Sequence, residues 1–283
     1  MPRAVADRGK RGLEFGTKIV LDRAIIDPTR TGPMLFEDFI LDHVAEDAYL
    51  VSQSGTATTA AAITASAGAP VTGHGGWIAG AVDNVDNEID EVGLGGAAGW
   101  LVPAALGVGE LIVCEVALVI PTALTARMYF AGLGDALTGG ADDDGMISIV
   151  TGTTLVSGAT GDAVGFVYSS LATNVDQWYC GAVKATAVGT AYDTSVGTYG
   201  DAMDAATVDD YTKLRVEVDV AGNAYFYSAI STTKGREQKP VFRQMQALAV
   251  TAASAFNPVF SAASTTTAAV EWEVDYMFGA ADR

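Results

Sequence analysis

The run Lys213-Leu214-Arg215-Val216-Glu217-Val218-Asp219-Val220 leaves little choice of secondary structure. Its apolar residues fall at every second position, so an extended chain puts Leu214, Val216, Val218 and Val220 on one face and Lys213, Arg215, Glu217 and Asp219 on the other. A helix would scatter them around its circumference. Ala221-Gly222-Asn223 then gives a turn signal, and Ala224-Tyr225-Phe226-Tyr227-Ser228 resumes with aromatic β-formers, which predicts an antiparallel hairpin. A second alternating run closes the chain, with Val270, Trp272, Val274, Tyr276 and Phe278 on one face and Glu271, Glu273, Asp275 and Met277 on the other. Together they predict one core holding Leu214, Val216, Val218, Trp272, Val274 and Tyr276, with Lys213, Arg215, Glu271 and Glu273 in solvent.

Further strands are expected at 35–41, 76–81, 111–120, 128–133, 146–150, 163–168, 178–184 and 248–251. The stretch 111–120 (LIVCEVALVI) is apolar on nearly both faces and suits a central strand packed on both sides. A bilayer helix fits it less well, because Pro103 and Pro121 bracket the region, glycines interrupt it and Glu115 lies in its apolar centre. Residues 52–76 and 261–269, dominated by Ala, Thr, Ser and Gly, carry little structural signal. There is no amphipathic helix of ordinary length, no fixed-period repeat and no linker between two cores. An all-β sandwich of two antiparallel sheets follows, one domain at 34–283 preceded by an extended arm at 1–33.

Charge narrows the partners. The net charge of −18 repels phosphate backbones and anionic lipid surfaces, which argues against nucleic acid and membrane. It is unevenly spread: residues 1–30 carry seven bases against four acids, a charge of +3, so the remainder carries −21. A basic arm that docks on something acidic is the expectation, and its attachment residues would be Arg8, Lys10, Arg11, Phe15, Lys18, Ile19, Leu21 and Ile25, which join positive charge to short apolar clusters. Cys114 and Cys180, both in apolar strand-like settings, read as small buried hydrophobes rather than a disulfide framework. The opening MPRAVADRGKRG has no apolar signal-peptide core, so secretion by that route is not expected.

The order of segments carries a resemblance. Phe36-Glu37-Asp38-Phe39, then GGWIAGAVDN, LIVCEVALVI, YFAGLGDAL, DAVGFVYSS, WYCGAVKA, YTKLRVEVDVAGNAYFY and the closing AAVEWEVDYMF resemble the concanavalin A-like jelly-roll proteins of tailed-phage virions, over about residues 34 to 283. The closing motif of that family, an aliphatic strand ending in Asp-Tyr, is matched by Asp275 and Tyr276. The resemblance implies a non-enzymatic virion structural protein without cofactor. It would be a capsid decoration or cement protein on the outer capsid surface, bound to the major capsid protein and to copies of itself as a homo-oligomer such as a trimer. The alternative is a tail-fibre or lectin-like binder of a receptor glycan.

Candidate chemistry is sparse. Glu88-Ile89-Asp90-Glu91 approaches the Glu-x-Asp-x-(x)-Glu strand of laminarinase-like glycosidases, but Val92 and Gly93 stand where the last Glu belongs, so a retaining carboxylate pair is not expected and an exposed acidic loop is. Asp142-Asp143-Asp144 and the group Asp83, Asn84, Asp86, Asn87 could offer oxygens to calcium, yet neither has an EF-hand spacing, and both read as solvated turns. His43 and His74 have no neighbouring Cys, no serine lies in a Gly-x-Ser-x-Gly elbow, and the glycines at 93–99 lack the Lys-Ser/Thr of a phosphate loop. Of the tryptophans, Trp178 and Trp272 fall in phase with apolar neighbours and belong in the core, while Trp100 follows a Gly/Ala loop and is the candidate for exposure.

Overall fold

The computed structural model describes residues 34–37, 49–54, 64–65, 78–82, 89–94, 111–121, 124–135, 146–157, 161–189, 191–194, 203, 205–231, 240–252, 254–266 and 270–281, with side chains described from Val82 onward. Among them there are strands and turns and no helix. The strands are β1 (Met34–Glu37), β2 (Tyr49–Ser54), β3 (Thr64–Ala65), β4 (Ile78–Val82), β5 (Ile89–Leu94), β6 (Leu111–Val119), β7 (Arg127–Gly134), β8 (Ser148–Thr151) and β9 (Thr154–Val156). The second half adds β10 (Ala163–Ser169), β11 (Trp178–Lys184), β12 (Ala187–Val188), β13 (Tyr192–Asp193), β14 (Tyr211–Asp219), β15 (Ala224–Ser231), β16 (Val241–Gln246), β17 (Asn257–Ser264) and β18 (Val270–Ala281).

They form two large antiparallel sheets. The first runs β16-β15-β14-β6-β18-β4-β3, with β1 also on β18; the second runs β12-β11-β10-β7-β17-β5-β2, with β13 also on β11. Because alternate side chains of each strand point to opposite faces, one face of each sheet supplies the layer between them. Leu214, Val216 and Val218 of β14, Phe226 of β15 and Trp272 of β18 meet Tyr129, Leu133, Phe166, Trp178 and Phe260 from the second sheet. Aromatic pairs bridge the layer: Phe166 meets Phe226 edge-on with ring centroids 5.5 Å apart, and Phe260 packs at 5.2 Å from Trp272. The expected core places of Trp178, Trp272 and both cysteines are found, and burial pushes both thiols well above their ordinary pKa.

Neither sheet is one-sided. Between β7 and β10 the chain makes a hairpin, β8–β9, whose Met146, Ile147, Ile149 and Leu155 pack on the outer face of the second sheet against Phe130, Val167, Tyr179, Val183 and Val259. Glycines make the room: a Cβ on Gly134 would lie 2.8 Å from the Met146 sulfur, and one on Gly181 3.3 Å from the Leu155 side chain. On the first sheet Val113, Ala117, Val119, Tyr211, Tyr276, Phe278 and Ala280 form a buried cluster on the outer face, as expected of a β6 apolar on both sides.

Several sequence expectations are corrected here. Lys213 and Arg215 do point away from the inter-sheet layer, yet both are buried rather than solvated, whereas Glu271 is exposed and Glu273 half-buried. Arg215 survives burial because it is paired: its Nε donates to Glu217 Oε1 at 2.8 Å, and its guanidinium lies 3.5 Å from Glu115 Oε2. The Tyr276 hydroxyl donates to the other oxygen of Glu115 at 2.5 Å. Tyr276 itself is on the wrong face for the period-two reading, because β18 takes an extra residue at Asp275, between the pairs Val274↔Leu118 and Tyr276↔Ala117. That bulge inverts the alternation, sending Met277 into the inter-sheet layer and Tyr276 and Phe278 outward. Within the expected acidic loop, residues 89–91 are strand rather than exposed loop, since Ile89, Asp90 and Glu91 are buried in β5. Residues 248–251 are turn and loop rather than strand, the strand of that region being β16, and the low-signal stretch from 261 begins inside β17. Val220 lies in the turn after β14 and is exposed.

Arg215 therefore holds two buried carboxylates. Arg215→Ala should cost about 3–5 kcal/mol in urea unfolding, because it takes the guanidinium away from the buried carboxylates of Glu115 and Glu217. An exposed arginine, as the alternation alone implies, would change stability by less than about 0.5 kcal/mol.

Candidate functional site

Of the residues that sequence suggested for chemistry, the described ones are not assembled into a site. Asp90 lies on the inward face of β5 in step with Val92 and Leu94, and its carboxylate accepts a hydrogen bond from Trp272 Nε1 at 3.1 Å inside the core. Glu91 points to the opposite face of the sheet and is buried there. The two carboxylates thus lie on opposite sides of one sheet, which is incompatible with a shared catalytic groove. Glu88, the acidic groups 83–87 and 142–144, His43, His74, Trp77, Trp100 and all eight arm residues (Arg8, Lys10, Arg11, Phe15, Lys18, Ile19, Leu21, Ile25) lie outside the described residues.

The feature that does gather chemistry sits where the two sheets part at one edge. There β16, the last strand of the first sheet, faces β11, β12 and β13 of the second across a cleft of about 590 Å³. That volume falls within the range of roughly 300–1,000 Å³ common to small-ligand sites. Among the residues around it are Tyr192 and Leu248, two of the large apolar side chains that the described residues expose, while the exposed Val188 and Met245 pair with Val183 and Tyr225 and so turn their side chains to the outer faces. Pairing with Phe226 puts Gln244 on the inward face of β16, where it is only 5% exposed. Gln246, two residues on, donates from Nε2 to the Cys180 carbonyl at 3.2 Å and ties the two sheet edges together at the floor. Among the described residues no group hydrogen-bonds the Gln244 amide, the Lys184 ammonium or the Tyr192 hydroxyl.

Both rims are held in conformations that side chains rarely adopt. The β11–β12 turn has left-handed backbone at Ala185 (φ 46°) and Thr186 (φ 71°), and the opposite rim has it at Leu248 (φ 51°). Such backbone persists only when surrounding contacts over-determine it. For Leu248 the restraint is Asn223, whose Oδ1 accepts the Leu248 N–H at 2.9 Å. For the turn it is Asp162, a buried carboxylate at the start of β10. Its oxygens accept from the Ala185 N–H (2.5 Å), the Thr251 N–H (2.7 Å), the Thr251 hydroxyl (3.1 Å) and the Ser254 hydroxyl (2.7 Å). One side chain thereby fastens the β11–β12 turn to the segment that leads from β16 to β17. Burial by itself would raise its pKa; the hydrogen bonds from Ser254, Ala185 and Thr251 outweigh that and hold it below the ordinary aspartate value.

Sequence reasoning missed this cleft. Residues 182–192 and 244–249 are distant in the chain, and only the sheet order brings them together. The one local trace is Gln244-Met245-Gln246, which puts amides at inward positions of a strand where apolar residues would be ordinary.

No family model matches the chain, and no curated protein matches it. Among solved structures it is similar to the lectin UEA-II in complex with galactose, with a TM-score of 0.50 and 7% identity over 89% of this chain and 99% of the lectin. It is also similar to a protein of unknown function from Shewanella oneidensis MR-1 (TM-score 0.47, 13% identity, 89% and 87% covered). A third is the CBM2 module of the evolved Dit of Lactobacillus casei BL23 phage J-1 (TM-score 0.44, 8% identity, 89% and 97% covered). What the lectin shares with this chain is the fold, an all-β concanavalin A-like jelly roll of two large antiparallel sheets.

Asp162→Asn removes a charged acceptor from four donors and should cost on the order of 1–3 kcal/mol at neutral pH. Because the folded-state pKa is depressed, the carboxylate's contribution is present above the ordinary aspartate pKa of about 3.9 and is lost as pH falls through it toward the folded value. Urea unfolding of wild type and variant should therefore differ at pH 7 and converge in acid. A difference that stays constant with pH would rule out this charged hub.

Proposed function

We propose that the protein is a non-enzymatic structural component of a tailed-phage particle, a decoration protein on the outside of the capsid that contacts the major capsid protein and copies of itself. The observation that carries this reading is the closure of both broad faces of the sandwich. The β8–β9 hairpin fills the outer face of the second sheet, and the centre of the first sheet's outer face is buried around the Glu115–Arg215–Glu217 group. A glycan-cleaving sandwich needs two carboxylates over an open groove, and here Asp90 is turned into the core. The virion assignment rests on the succession of strand motifs, and the manner of attachment on the basic segment 1–33 set against a body of charge −21.

A second reading, a lectin-like binder of glycans, is favoured by the edge cleft with its exposed Tyr192 and unpartnered Gln244 amide.

Attachment is tested by cosedimentation with particles stripped of the protein. The full chain should join them, and a variant lacking residues 1–30 should remain folded and stay in the supernatant. If the truncated protein binds with unchanged affinity, attachment belongs to the body. Against β-glucans the purified protein should release no reducing ends; release that vanishes in Glu88→Gln would overturn the non-enzymatic reading.

A further inference from the structure

We infer that the edge cleft is a binding site for an oligosaccharide bearing a carboxylate, with Tyr192 as the platform under a sugar ring, Gln244 as the amide that reads a hydroxyl, and Lys184 as the partner of the acid group. The inference rests on the glycan-binding reading above and deepens it by naming the site and the ligand class.

The argument starts from Gln244. Gln244 is only 5% exposed as a residue and no described group hydrogen-bonds its amide, yet the amide atoms are not sealed from solvent, so the polar end is presented to the cleft. It lines an accessible cleft, so a ligand hydroxyl can supply the missing partner. Next to it the cleft offers an aromatic ring 44% exposed, with aliphatic surface from Leu248. A ligand that fits must present an apolar face and hydroxyl groups together. Sugar rings do so, with C–H faces that lie on aromatic rings and hydroxyls at the rim. A purely aliphatic ligand would leave the amide unsatisfied.

Charge then selects among saccharides. The chain has 34 acids against 16 bases, yet the cleft lining includes no acid and one base, Lys184, whose ammonium has no partner among the described residues. A charge-assisted hydrogen bond from it to a uronic carboxylate is stronger than a neutral one by about twofold. The rest of the body, at −21, works against any anion, so a preference for acidic sugars can come only from contact in the cleft.

The test is calorimetric titration of the full-length protein with uronic-acid oligosaccharides (oligogalacturonate, oligoalginate, hyaluronate fragments) and with neutral ones (cello-, malto- and laminari-oligosaccharides). An acidic ligand should bind about tenfold more tightly than its neutral counterpart of equal length, as one charge-assisted contact allows. Lys184→Gln should abolish that preference, and Tyr192→Ala should weaken both classes about tenfold or more; Tyr192 is exposed and Lys184 half-buried with no described partner, and a far-UV circular dichroism spectrum matching the wild type checks that each variant folds. Gln244→Leu gives a readout that a purely structural role would not. It should leave the melting temperature close to that of the wild type, because the amide it removes already meets solvent, while weakening binding at least tenfold. If both classes bind equally and Lys184→Gln changes nothing, the acidic specificity is wrong and the glycan reading stands. Binding that survives Tyr192→Ala and Gln244→Leu unchanged places the site elsewhere and overturns the inference. If no oligosaccharide of either class binds, both the inference and the glycan-binding reading fall.

Discussion

Everything in this sandwich depends on the layer between its sheets, and Trp272 is where that layer is most constrained. It comes from β18, stacks near Phe260 of β17 in the opposite sheet, and donates its indole N–H to Asp90 of β5 in that same sheet. Three strands are thereby fixed in relative position by one residue. A buried indole needs a hydrogen-bond acceptor, and a buried carboxylate needs a donor, so each makes the other tolerable. The same contact removes Asp90 from any solvent-facing chemistry.

The outer faces follow a different logic. Sheets in a two-layer sandwich ordinarily alternate apolar inside with polar outside, and this chain departs from that on both sides. On the second sheet, glycines in β7 and β11 lower the surface enough for the β8–β9 hairpin to lie on it. On the first sheet, burial takes in charges as well as hydrophobes. Arg215 is tolerated only because Glu115 and Glu217 flank it, and the Tyr276 hydroxyl satisfies a carboxylate oxygen that the arginine does not reach. The bulge at Asp275 delivers that hydroxyl to the outer face, so a local irregularity in β18 completes a network anchored on β6 and β14.

With much of both broad faces buried among the described residues, an opening remains at one edge. At the edge between β16 and β11–β13 the interior layer is left unfinished, and the groups exposed there are a ring, an amide, an ammonium and aliphatic surface. Asp162 and Asn223 keep that opening in shape from the two sides, each through hydrogen bonds to loop backbone. Rigid rims on a rigid sandwich suit a binding module, and they impose no requirement for chemistry.

The sequence by itself determined the all-β class, the β14–β15 hairpin, the two-sided burial of β6 and the core places of Trp178, Trp272 and the two cysteines. Those features rest on side-chain alternation within a single strand, which is local and visible in eight residues. It did not determine the phase of β18 beyond Val274, because one inserted residue shifts every later side chain to the other face while leaving the composition of the run unchanged. Nor did it show that Lys213, Arg215 and Glu91 are buried, since alternation says which face a residue takes and not whether that face meets water. β16 and β17 were illegible for a related reason: strands with Gln at inward places or built from Ala and Ser gain their stability from neighbours rather than from propensity. The edge cleft was beyond reach altogether. Lys184 and Tyr192 meet Gln244 only because the sheet order puts the end of one sheet beside the end of the other, and that order is a property of the whole packed chain.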